Sequence, residues 1–514
     1  MPRKPETVVR FGRDTLDTDT VLALARGELG ATLDDDPEYR AMLARGVQAL
    51  DQKLRASAAI YGVTTGFGDS CDTAVPVGLS DVLLQNLVRF HGCGTGARLS
   101  EAESAAVVAV RLASLARGYS GVRVLVLEAL CALLNQRVLP CIPAEGSVGA
   151  SGDLTPLSYV AALLMGEREA WYEGRVVPAR EALAHAGLRP LALLPKESLA
   201  IMNGTSVMTA LACFSERAAL RLARCSAALS AMTSDVICGV AGHFDDRIFA
   251  AKPHPGQRTA ARWIREDLEY VPGRERAAGR LQDRYSVRCA PHVIGVLLDA
   301  APLFRSILEV EINSVNDNPI VDPETGDVLS GGNFYGGHVC FVMDALKNAV
   351  ANLADLMDRQ LVLLCNPATS AGLPTNLVAV QGPERVANFG FKAMQITTSA
   401  LTAEALKLTV PASIFSRSTE NHNQDKVSMG TIAARDALRV VELVETVAAI
   451  HLLALCQAAD LRGLSNCHRR TRALHAAVRE RVPMNTADRR MDVDVTEVLA
   501  LHRRGALPYG ELEP

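Results

Sequence analysis

The chain contains the stretch Gly146-Ser147-Val148-Gly149-Ala150-Ser151-Gly152-Asp153-Leu154-Thr155-Pro156-Leu157, in which three glycines fall within seven residues. Glycine adopts backbone angles that are closed to other residues, so this stretch can bend sharply. Asp153 or Thr155, followed by Pro156, is typical of the start of a helix. The sequence therefore predicts a tight loop that leads into a helix.

The tripeptide Ala150-Ser151-Gly152 at the centre of this loop can react with itself. A tight bend can bring the unhindered amide nitrogen of Gly152 onto the carbonyl carbon of Ala150. Cyclisation and loss of water, including dehydration of Ser151, would leave a methylidene-imidazolone ring with an electrophilic exocyclic carbon. Nearby helix N-termini would favour negative charge on the ring oxygen. The alternative is a simple glycine-rich turn, because the tripeptide alone arises by chance about once in several chains of this length.

The composition favours helices over sheets. Of 514 residues, 49% are hydrophobic and 21% are charged, which is ordinary for a globular protein, but only 4% are aromatic. The core must therefore consist mostly of Ala, Leu and Val, which suits close helix packing better than a β-sandwich. The net charge of −4 offers no general attraction for nucleic acid or an anionic membrane.

Apolar residues recur at intervals of three and four in several long segments, which indicates helices with one apolar face. Two such segments run from Val342 to Leu364 and from Met429 to Leu461. Ser100 and Glu103 have the spacing of a capping box at the start of another helix. Strand signals are short, as in the region from Val321 to Leu329. We therefore predict a mainly α fold, with a long-helix bundle as its core and a smaller N-terminal globular region that carries the 146–157 loop.

Further polar and glycine-rich motifs cover roughly residues 55 to 465. They are Tyr61-Gly62-Val63-Thr64-Thr65-Gly66-Phe67-Gly68, Asn203-Gly204-Thr205-Ser206, Gln282-Asp283-Arg284-Tyr285-Ser286-Val287-Arg288, Asn313-Ser314-Val315-Asn316-Asp317-Asn318-Pro319, Gly331-Gly332-Asn333-Phe334 and Asn423-Gln424-Asp425-Lys426-Val427-Ser428-Met429-Gly430. In this order, together with the central loop, they resemble the aromatic amino acid ammonia-lyase family, which comprises histidine, phenylalanine and tyrosine enzymes and related aminomutases. The resemblance implies a carbon–nitrogen lyase. Its cofactor would be a 4-methylidene-imidazole-5-one formed autocatalytically from Ala150-Ser151-Gly152, with no metal and no nucleotide.

Elimination of ammonia needs two chemical aids, because an amine leaves badly and the β-proton of an amino acid is scarcely acidic. An electrophile must capture the amine, and a positioned base must take the β-proton. In the family this base is the Tyr matched by Tyr61, and Gly68 is expected to let the Tyr61 loop close. A phenol has a pKa of about 10, so the site must stabilise the phenolate. Without the resemblance, Tyr61 would simply be a loop aromatic that anchors a turn.

The resemblance also assigns the remaining site residues. Arg288 would bind the substrate carboxylate in the bidentate geometry that favours Arg over Lys. The family's polar groups around the ring and around the substrate amine and carboxylate are matched here by Asn203, Gln282 and Tyr285. Of these, Asn203 and Tyr285 would be catalytic residues. Phe334 resembles an aromatic residue beside the ring. Without the family, Arg288 would form a surface ion pair, the other polar residues would be helix caps or core hydrogen-bonders, and Phe334 would be a core aromatic.

Two motifs bear on the substrate. By resemblance, Phe90-His91 occupies a position at which histidine enzymes and some tyrosine enzymes have Ser-His. Other tyrosine enzymes have His-Leu there, and phenylalanine enzymes have Phe-Leu. His91 could bond a phenolic hydroxyl, and its alternative is a satisfied core histidine. Asn423 and Gln424 are also expected to contact the substrate, and Gln424 occupies the position of a Glu that faces the imidazole in histidine enzymes. Loss of that carboxylate argues against histidine, so we expect tyrosine first, phenylalanine next and histidine third.

By resemblance, the assembly is a homotetramer in which loops of three subunits form each site. Residues 1–200 would hold the catalytic Tyr loop, the substrate-selecting segment and the cofactor loop. Residues 201–480 would form the long-helix bundle of the oligomer core, and 481–514 a C-terminal tail. The closest rival activity is a tyrosine 2,3-aminomutase, which would use the same cofactor and retain ammonia for addition at the β-carbon.

Other functional classes find less support in the sequence. The segment 61–68 lacks the Lys-Ser/Thr ending of a phosphate-binding loop, and the eleven histidines include no metal-binding spacing. The twelve cysteines include no Cys-x-x-Cys pair. A non-enzymatic helical scaffold would explain the helices but not the ordered motifs. With no signal peptide and no apolar stretch of about 18 residues, we expect a cytoplasmic enzyme that binds a small aromatic amino acid, and neither nucleic acid nor membrane.

Overall fold

The computed structural model describes residues 7–56, 58–273 and 280–512. Over these ranges the chain is mainly helical, which confirms the predicted fold class. The helices are α1 Thr18–Arg26, α2 Pro37–Arg55, α3 Ser80–Phe90, α4 Glu101–Leu115, α5 Val124–Gln136, α6 Ser158–Leu164, α7 Ala179–His185, α8 Glu197–Met202, α9 Ser206–Val236, α10 Asp246–Ala250, α11 Pro255–Asp267, α12 Tyr285–Arg288, α13 Ala290–Ile312, α14 Gly337–Cys365, α15 Lys392–Lys407, α16 Gly430–Arg462, α17 Arg469–Arg479 and α18 Asp492–Arg503. Short 3₁₀ turns lie at Gly68–Asp72, Val77–Leu79, Ala241–Phe244, Thr375–Leu377, Pro383–Ala387, Ala412–Phe415 and Leu464–Asn466.

The strands are short and form small separate sheets. They are β1 Val8–Phe11, β2 Gly30–Leu33, β3 Thr95–Arg98, β4 Leu139–Pro140, β5 Pro143–Glu145, β6 Glu169–Tyr172, β7 Arg175–Pro178, β8 Ile320–Val321 and β9 Val328–Leu329. β1 and β2 pair in parallel, whereas β3–β5, β4–β6–β7 and β8–β9 are antiparallel. The β8–β9 pair confirms the weak strand signal predicted there.

Three helices dominate the chain: α9 with 31 residues, α14 with 29 and α16 with 33. At about 1.5 Å per residue, each is on the order of 45–50 Å long. The apolar segments 342–364 and 429–461 lie on α14 and α16, as predicted. Their cores are completely buried at residues such as Val350, Leu361 and Val444. Burial of a regular apolar stripe, rather than intrinsic propensity, accounts for most of the stability of such helices.

The chain divides into two compact units. One comprises the residues up to Ser215 together with Arg305–Asp344 and Pro411–Arg435, and the other comprises Glu216–Phe304, Ala345–Val410 and the residues from Asp436 onward. Each unit gathers segments that are distant in the sequence. The bounds of the two units therefore differ from the divisions expected at residues 200 and 480. The expected three-part division stays a prediction.

Within the first unit, α4 is almost entirely buried and packs against α1 and α5. Its N-terminus carries the predicted capping box. The Ser100 hydroxyl accepts the N–H of Glu103 at 3.2 Å, and the Glu103 carboxylate accepts the N–H of Ser100 at 2.7 Å. Two otherwise unpaired backbone donors are thereby satisfied. The capping box thus fixes where α4 begins.

None of the helices in the described ranges combines the length and apolar character that crossing a membrane requires.

Candidate active site

The loop 149–154 folds back on itself through left-handed backbone angles. Gly149 has a φ of 80°, Ser151 of 49°, Gly152 of 78° and Leu154 of 38°. For residues with a side chain, such as Ser151 and Leu154, this conformation costs about 1–3 kcal/mol each. Surrounding contacts must therefore hold the tripeptide in its bend.

Backbone contacts from two neighbouring segments supply part of that support. The N–H of Asp153 donates to the carbonyl of Gly204 at 2.7 Å, and the N–H of Met429 donates to the carbonyl of Val148 at 3.0 Å. A Cβ on Gly152 would overlap the carbonyl oxygen of Gly204. Gly152 is therefore required for the close approach of the two backbones as well as for its positive φ.

Asp153 ties the loop to the start of α9. Its Oδ2 accepts the N–H groups of Val207 at 2.7 Å and Met208 at 3.3 Å, and its Oδ1 accepts the hydroxyl of Thr431 at 2.7 Å. Burial raises the pKa of Asp153 to about 7, although these donors act in the opposite direction. The positive end of the α9 dipole thus lies beside the tripeptide.

A completely buried guanidinium supports the neighbouring segment. Arg111 donates to the carbonyl oxygens of Asn203 at 3.1 Å and Asn316 at 3.0 Å, and burial lowers its pKa to about 10. Lys196 and Asp317, both with buried side chains, form an ion pair at 2.5 Å. Removal of one partner from such a buried pair would leave an uncompensated charge. These contacts fix the backbone on which Asn203 lies.

The side chain of Asn203 is only partly satisfied. Its Nδ2 donates to the carbonyl oxygen of Asn318 at 2.7 Å, but its buried Oδ1 has no hydrogen-bond partner among the described residues. Buried acceptors are nearly always paired, so this oxygen calls for an explanation. Asn203 lines the same cavity as Ser151. A ligand that donates a hydrogen bond in that cavity would supply the missing partner, and the tripeptide bend beside it fits the expected ring.

Tyr61 is half-buried and held by its own loop. Its phenolic oxygen accepts the N–H of Gly68 at 2.8 Å, and its ring meets that of Phe67 edge to face, with centroids 6.4 Å apart. Burial raises the pKa of Tyr61, the Gly68 hydrogen bond lowers it, and the carboxylate of Glu420 raises it further. The hydrogen bond is therefore the feature of the loop that favours a phenolate.

A cavity of about 660 Å³ brings most of the expected residues together. This volume is in the range of small-molecule sites. Its wall includes these residues singled out from the sequence: Tyr61, Gly68, Phe90, His91, Ala150, Ser151, Asn203, Phe334, Asn423 and Gln424. Gly152 lies behind this wall, in the loop that presents Ser151.

The substrate-selecting residues contribute a defined hydrogen-bond pattern to the cavity. His91 follows the last turn of α3, and its Nδ1 lies 2.9 Å from the carbonyl oxygen of Leu87. A carbonyl only accepts, so Nδ1 carries the hydrogen and Nε2 of the neutral ring is an acceptor. Burial lowers the pKa of His91, which favours that neutral form. The Gln424 carbonyl accepts the hydroxyl of Thr419 at 2.8 Å, which leaves its amide group as the donor.

Gln282, Tyr285 and Arg288 do not belong to this cavity wall. They lie in the second unit, at and just before α12. Tyr285 is 74% exposed, and the Arg288 guanidinium lies 4.8 Å from the centre of its ring. Arg288 also donates to the carbonyl of Asp283 at 3.1 Å. Their expected roles stay predictions.

Sequence reasoning missed Glu420 and gave no role to Lys426 of the quoted motif, and both also line the cavity. The Glu420 carboxylate accepts the N–H of Asp69 at 2.8 Å and touches the loop at Gly68, where a Cβ would overlap it. Glu420 precedes the quoted motif by only three residues, but no spacing rule links it to the Tyr61 loop. Across the described ranges, no cluster of three or more His, Cys, Asp or Glu side chains is arranged to hold a metal ion.

Comparison with known proteins adds an independent line of information. The model of the aromatic amino acid lyase family matches residues 16–480. A histidine ammonia-lyase of Aromatoleum aromaticum is 41% identical over 468 residues, which cover 91% of this chain and 88% of the relative. The crystal structure of a tyrosine aminomutase from Streptomyces globisporus aligns with a TM-score of 0.88 at 34% identity, over 98% of this chain and 97% of that one. A histidine ammonia-lyase from Trypanosoma cruzi aligns with a TM-score of 0.88 at 31% identity, over 98% and 97% of the two chains.

Proposed function

Because this chain belongs to the aromatic amino acid lyase family, we propose that it eliminates ammonia from an aromatic L-amino acid, with tyrosine preferred and phenylalanine next. The products would be the trans-unsaturated arylacrylic acid and ammonia. The family makes the chain a carbon–nitrogen lyase, whereas the substrate is our proposal. The preference for tyrosine rests on two residues that line the same cavity. They are His91, whose Nε2 is an acceptor, and Gln424, which is uncharged.

Tyr61 is the base in this proposal. The Gly68 N–H donates to its oxygen and would stabilise the phenolate, while burial and Glu420 raise the pKa of the phenol. A phenol with a raised pKa gives a phenolate that accepts protons strongly. A small phenolate fraction can therefore remove the weakly acidic β-proton. Closure of the loop through Gly68 would complete the site.

The ring formed from Ala150-Ser151-Gly152 would supply an electrophilic carbon that takes up the substrate amine. Asn203 would accept a hydrogen bond from the substrate amine, since its buried Oδ1 has no other partner in the described part of the chain. The start of α9, fixed by Asp153, would favour negative charge on the ring oxygen. Phe334 lines the same cavity and would exclude water from the ring.

The substrate carboxylate requires a cation. Arg288, with Gln282 and Tyr285 beside it, provides the fork geometry that a carboxylate prefers. These residues lie in the second compact unit of the chain. From the family resemblance, we propose that they act on the cavity of a neighbouring subunit, within a homotetramer whose sites are shared.

The ring end of the cavity favours a hydroxyl group. A phenolic hydroxyl can donate to Nε2 of His91 and accept from the Gln424 amide, while Phe90 provides an apolar wall. Phenylalanine would leave both polar groups without a partner, which a buried site discriminates against. A histidine substrate would lack the carboxylate that Gln424 replaces.

Two alternatives have specific support. Relatives with 39–41% identity are named histidine ammonia-lyases, which favours histidine as the substrate. The tyrosine aminomutase structure, at 34% identity, favours a 2,3-aminomutase with the same substrate as we propose. The first alternative differs from our proposal in the substrate, and the second differs in the product released.

One assay separates the three. The purified protein is incubated with L-tyrosine, L-phenylalanine and L-histidine in turn, and the unsaturated acid, ammonia and β-amino acid are quantified over time. We expect equal amounts of unsaturated acid and ammonia, with the highest kcat/KM for tyrosine. Turnover of histidine alone would favour the first alternative. Accumulation of β-tyrosine as the first product would replace the lyase with the aminomutase.

A further inference from the structure

The end of α3, with Phe90 as its last residue and His91 directly after it, is held by Glu167 and Arg168, two residues just before β6 that we call the clasp. The Arg89 guanidinium pairs with the Glu167 carboxylate at 2.8 Å. Arg168 donates through one amino group to the carbonyl oxygen of Val88. Glu167 thus holds Arg89, and its neighbour Arg168 holds Val88.

Arg168 reaches the end of α3 by a second route. Its other amino group donates to the Ser158 hydroxyl at 2.9 Å, and that hydroxyl lies 3.2 Å from the carbonyl oxygen of His91. The Ser158 hydrogen has a competing acceptor in the carbonyl of Thr155 at 2.7 Å. The guanidinium also stacks over the Tyr159 ring, 4.2 Å from its centre. Its plane and position are therefore fixed from several sides.

The Arg168 guanidinium packs closely against Gly92, the residue that follows His91. A Cβ on Gly92 would lie 2.6 Å from the Arg168 guanidinium, so a larger residue after His91 would push that guanidinium aside. Arg168 itself has a φ of 64°, an unfavourable angle for a residue with a side chain. Strained, tightly packed positions of this kind occur where geometry matters for function.

We propose that Arg168 is a positioning and specificity-determining residue. Its guanidinium fixes the turn from Val88 to His91, so that the His91 ring bonds Leu87 through Nδ1 and offers Nε2 to a donor group on the substrate ring. This inference rests on the proposed function, in which His91 reads that ring.

A second effect acts on the protonation of His91. Burial lowers the pKa of His91, the hydrogen bond to Leu87 raises it, and the positive charge of Arg168 lowers it further. Further charged groups are the paired Arg89 and Glu167 at the clasp, and Glu420, Asp425 and Lys426 on the cavity wall. Since only neutral Nε2 accepts a hydrogen bond, tyrosine turnover should fall as the pH drops through this pKa. Loss of the Arg168 charge should move that fall to higher pH.

The first test needs no substrate. Diethyl pyrocarbonate modifies neutral imidazole, and peptide mass spectrometry gives the pH midpoint of modification at His91 alone. In Arg168→Gln we expect the midpoint to rise by about half a pH unit or more. Arg175→Gln removes an exposed guanidinium from the β6–β7 hairpin and should leave the midpoint unchanged. An unchanged midpoint in Arg168→Gln would overturn the electrostatic part of the proposal.

The second test measures kcat/KM for tyrosine and phenylalanine. Arg168→Gln should lower the tyrosine-to-phenylalanine ratio by about tenfold, and Arg168→Lys, which keeps the charge but loses the fork, should lower it less. In a His91→Leu background the same substitution should leave the ratio unchanged. An equal loss for both substrates, or a further ratio change without His91, would reduce Arg168 to a structural residue. If the wild-type enzyme does not turn over tyrosine, the proposed function fails, while the midpoint at His91 still decides the role of Arg168.

Discussion

The backbone N–H of Gly68 donates a 2.8 Å hydrogen bond to the phenolic oxygen of Tyr61. The two residues lie at opposite ends of one glycine-rich loop, and Gly68 adopts a φ of 58°. A donor aimed at a phenolic oxygen favours the ionised form, which is the form that a base requires. The loop therefore contains both the proposed base and the group that helps to ionise it.

Replacement of Tyr61 by Phe should cripple the chemical step. The ring and its contact with Phe67 remain, but no oxygen is left to take the β-proton, so we expect kcat to fall by about 100-fold or more with little change in KM. Steady-state kinetics on the preferred substrate measure this effect. Tyr172→Phe, on β6, is the matched control and should keep wild-type rates. A Tyr61→Phe enzyme with normal kcat would assign the base to another residue.

The Glu420 carboxylate should set the pH dependence of Tyr61. Its negative charge opposes ionisation and raises the pKa of the phenol. In Glu420→Gln that pKa falls, more phenolate is present at a given pH, and the rising limb of kcat/KM should move to lower pH by about half a unit. Gln can still accept the N–H of Asp69, so the loop contact is kept. Glu173→Gln, at an exposed turn, serves as the control. A limb that stays in place, or moves to higher pH, contradicts this coupling.

Ser151→Ala should abolish turnover and leave the fold intact. Without the serine hydroxyl no dehydration can produce the exocyclic carbon, so the absorbance near about 300 nm expected of the ring should be missing. Intact-protein mass spectrometry should show a mass loss equal to two water molecules in the wild type and none from dehydration at residue 151 in the variant. Circular dichroism and the melting temperature check the fold. Retained activity would remove the cofactor from the proposal.

The long helices and the tripeptide could be predicted from the sequence because their signals are local. Apolar periodicity located α14 and α16, and the spacing of Ser100 and Glu103 located the start of α4. The bend at Ser151 followed from the surrounding glycines. In each case neighbours along the chain determine the structure.

The remaining features depend on contacts between distant segments. Glu420 meets the Tyr61 loop across more than three hundred residues of sequence, and Arg168 reaches the turn of His91 from another element. Residues of this kind carry no spacing signal, because the fold and not the sequence interval brings them together.

His91→Leu should shift the preference from tyrosine towards phenylalanine. In the wild type, Nδ1 bonds the carbonyl of Leu87 and Nε2 accepts from the phenolic hydroxyl, whereas Leu presents only methyl groups. Tyrosine then loses one hydrogen bond and buries its hydroxyl against an apolar wall, while phenylalanine gains apolar contact. The tyrosine-to-phenylalanine ratio of kcat/KM should fall by roughly tenfold to a hundredfold. His185→Leu, on the exposed side of α7, should leave the ratio at its wild-type value. If His91→Leu changes both substrates alike, His91 supports the cavity without reading the ring, and Gln424 becomes the residue to test for discrimination.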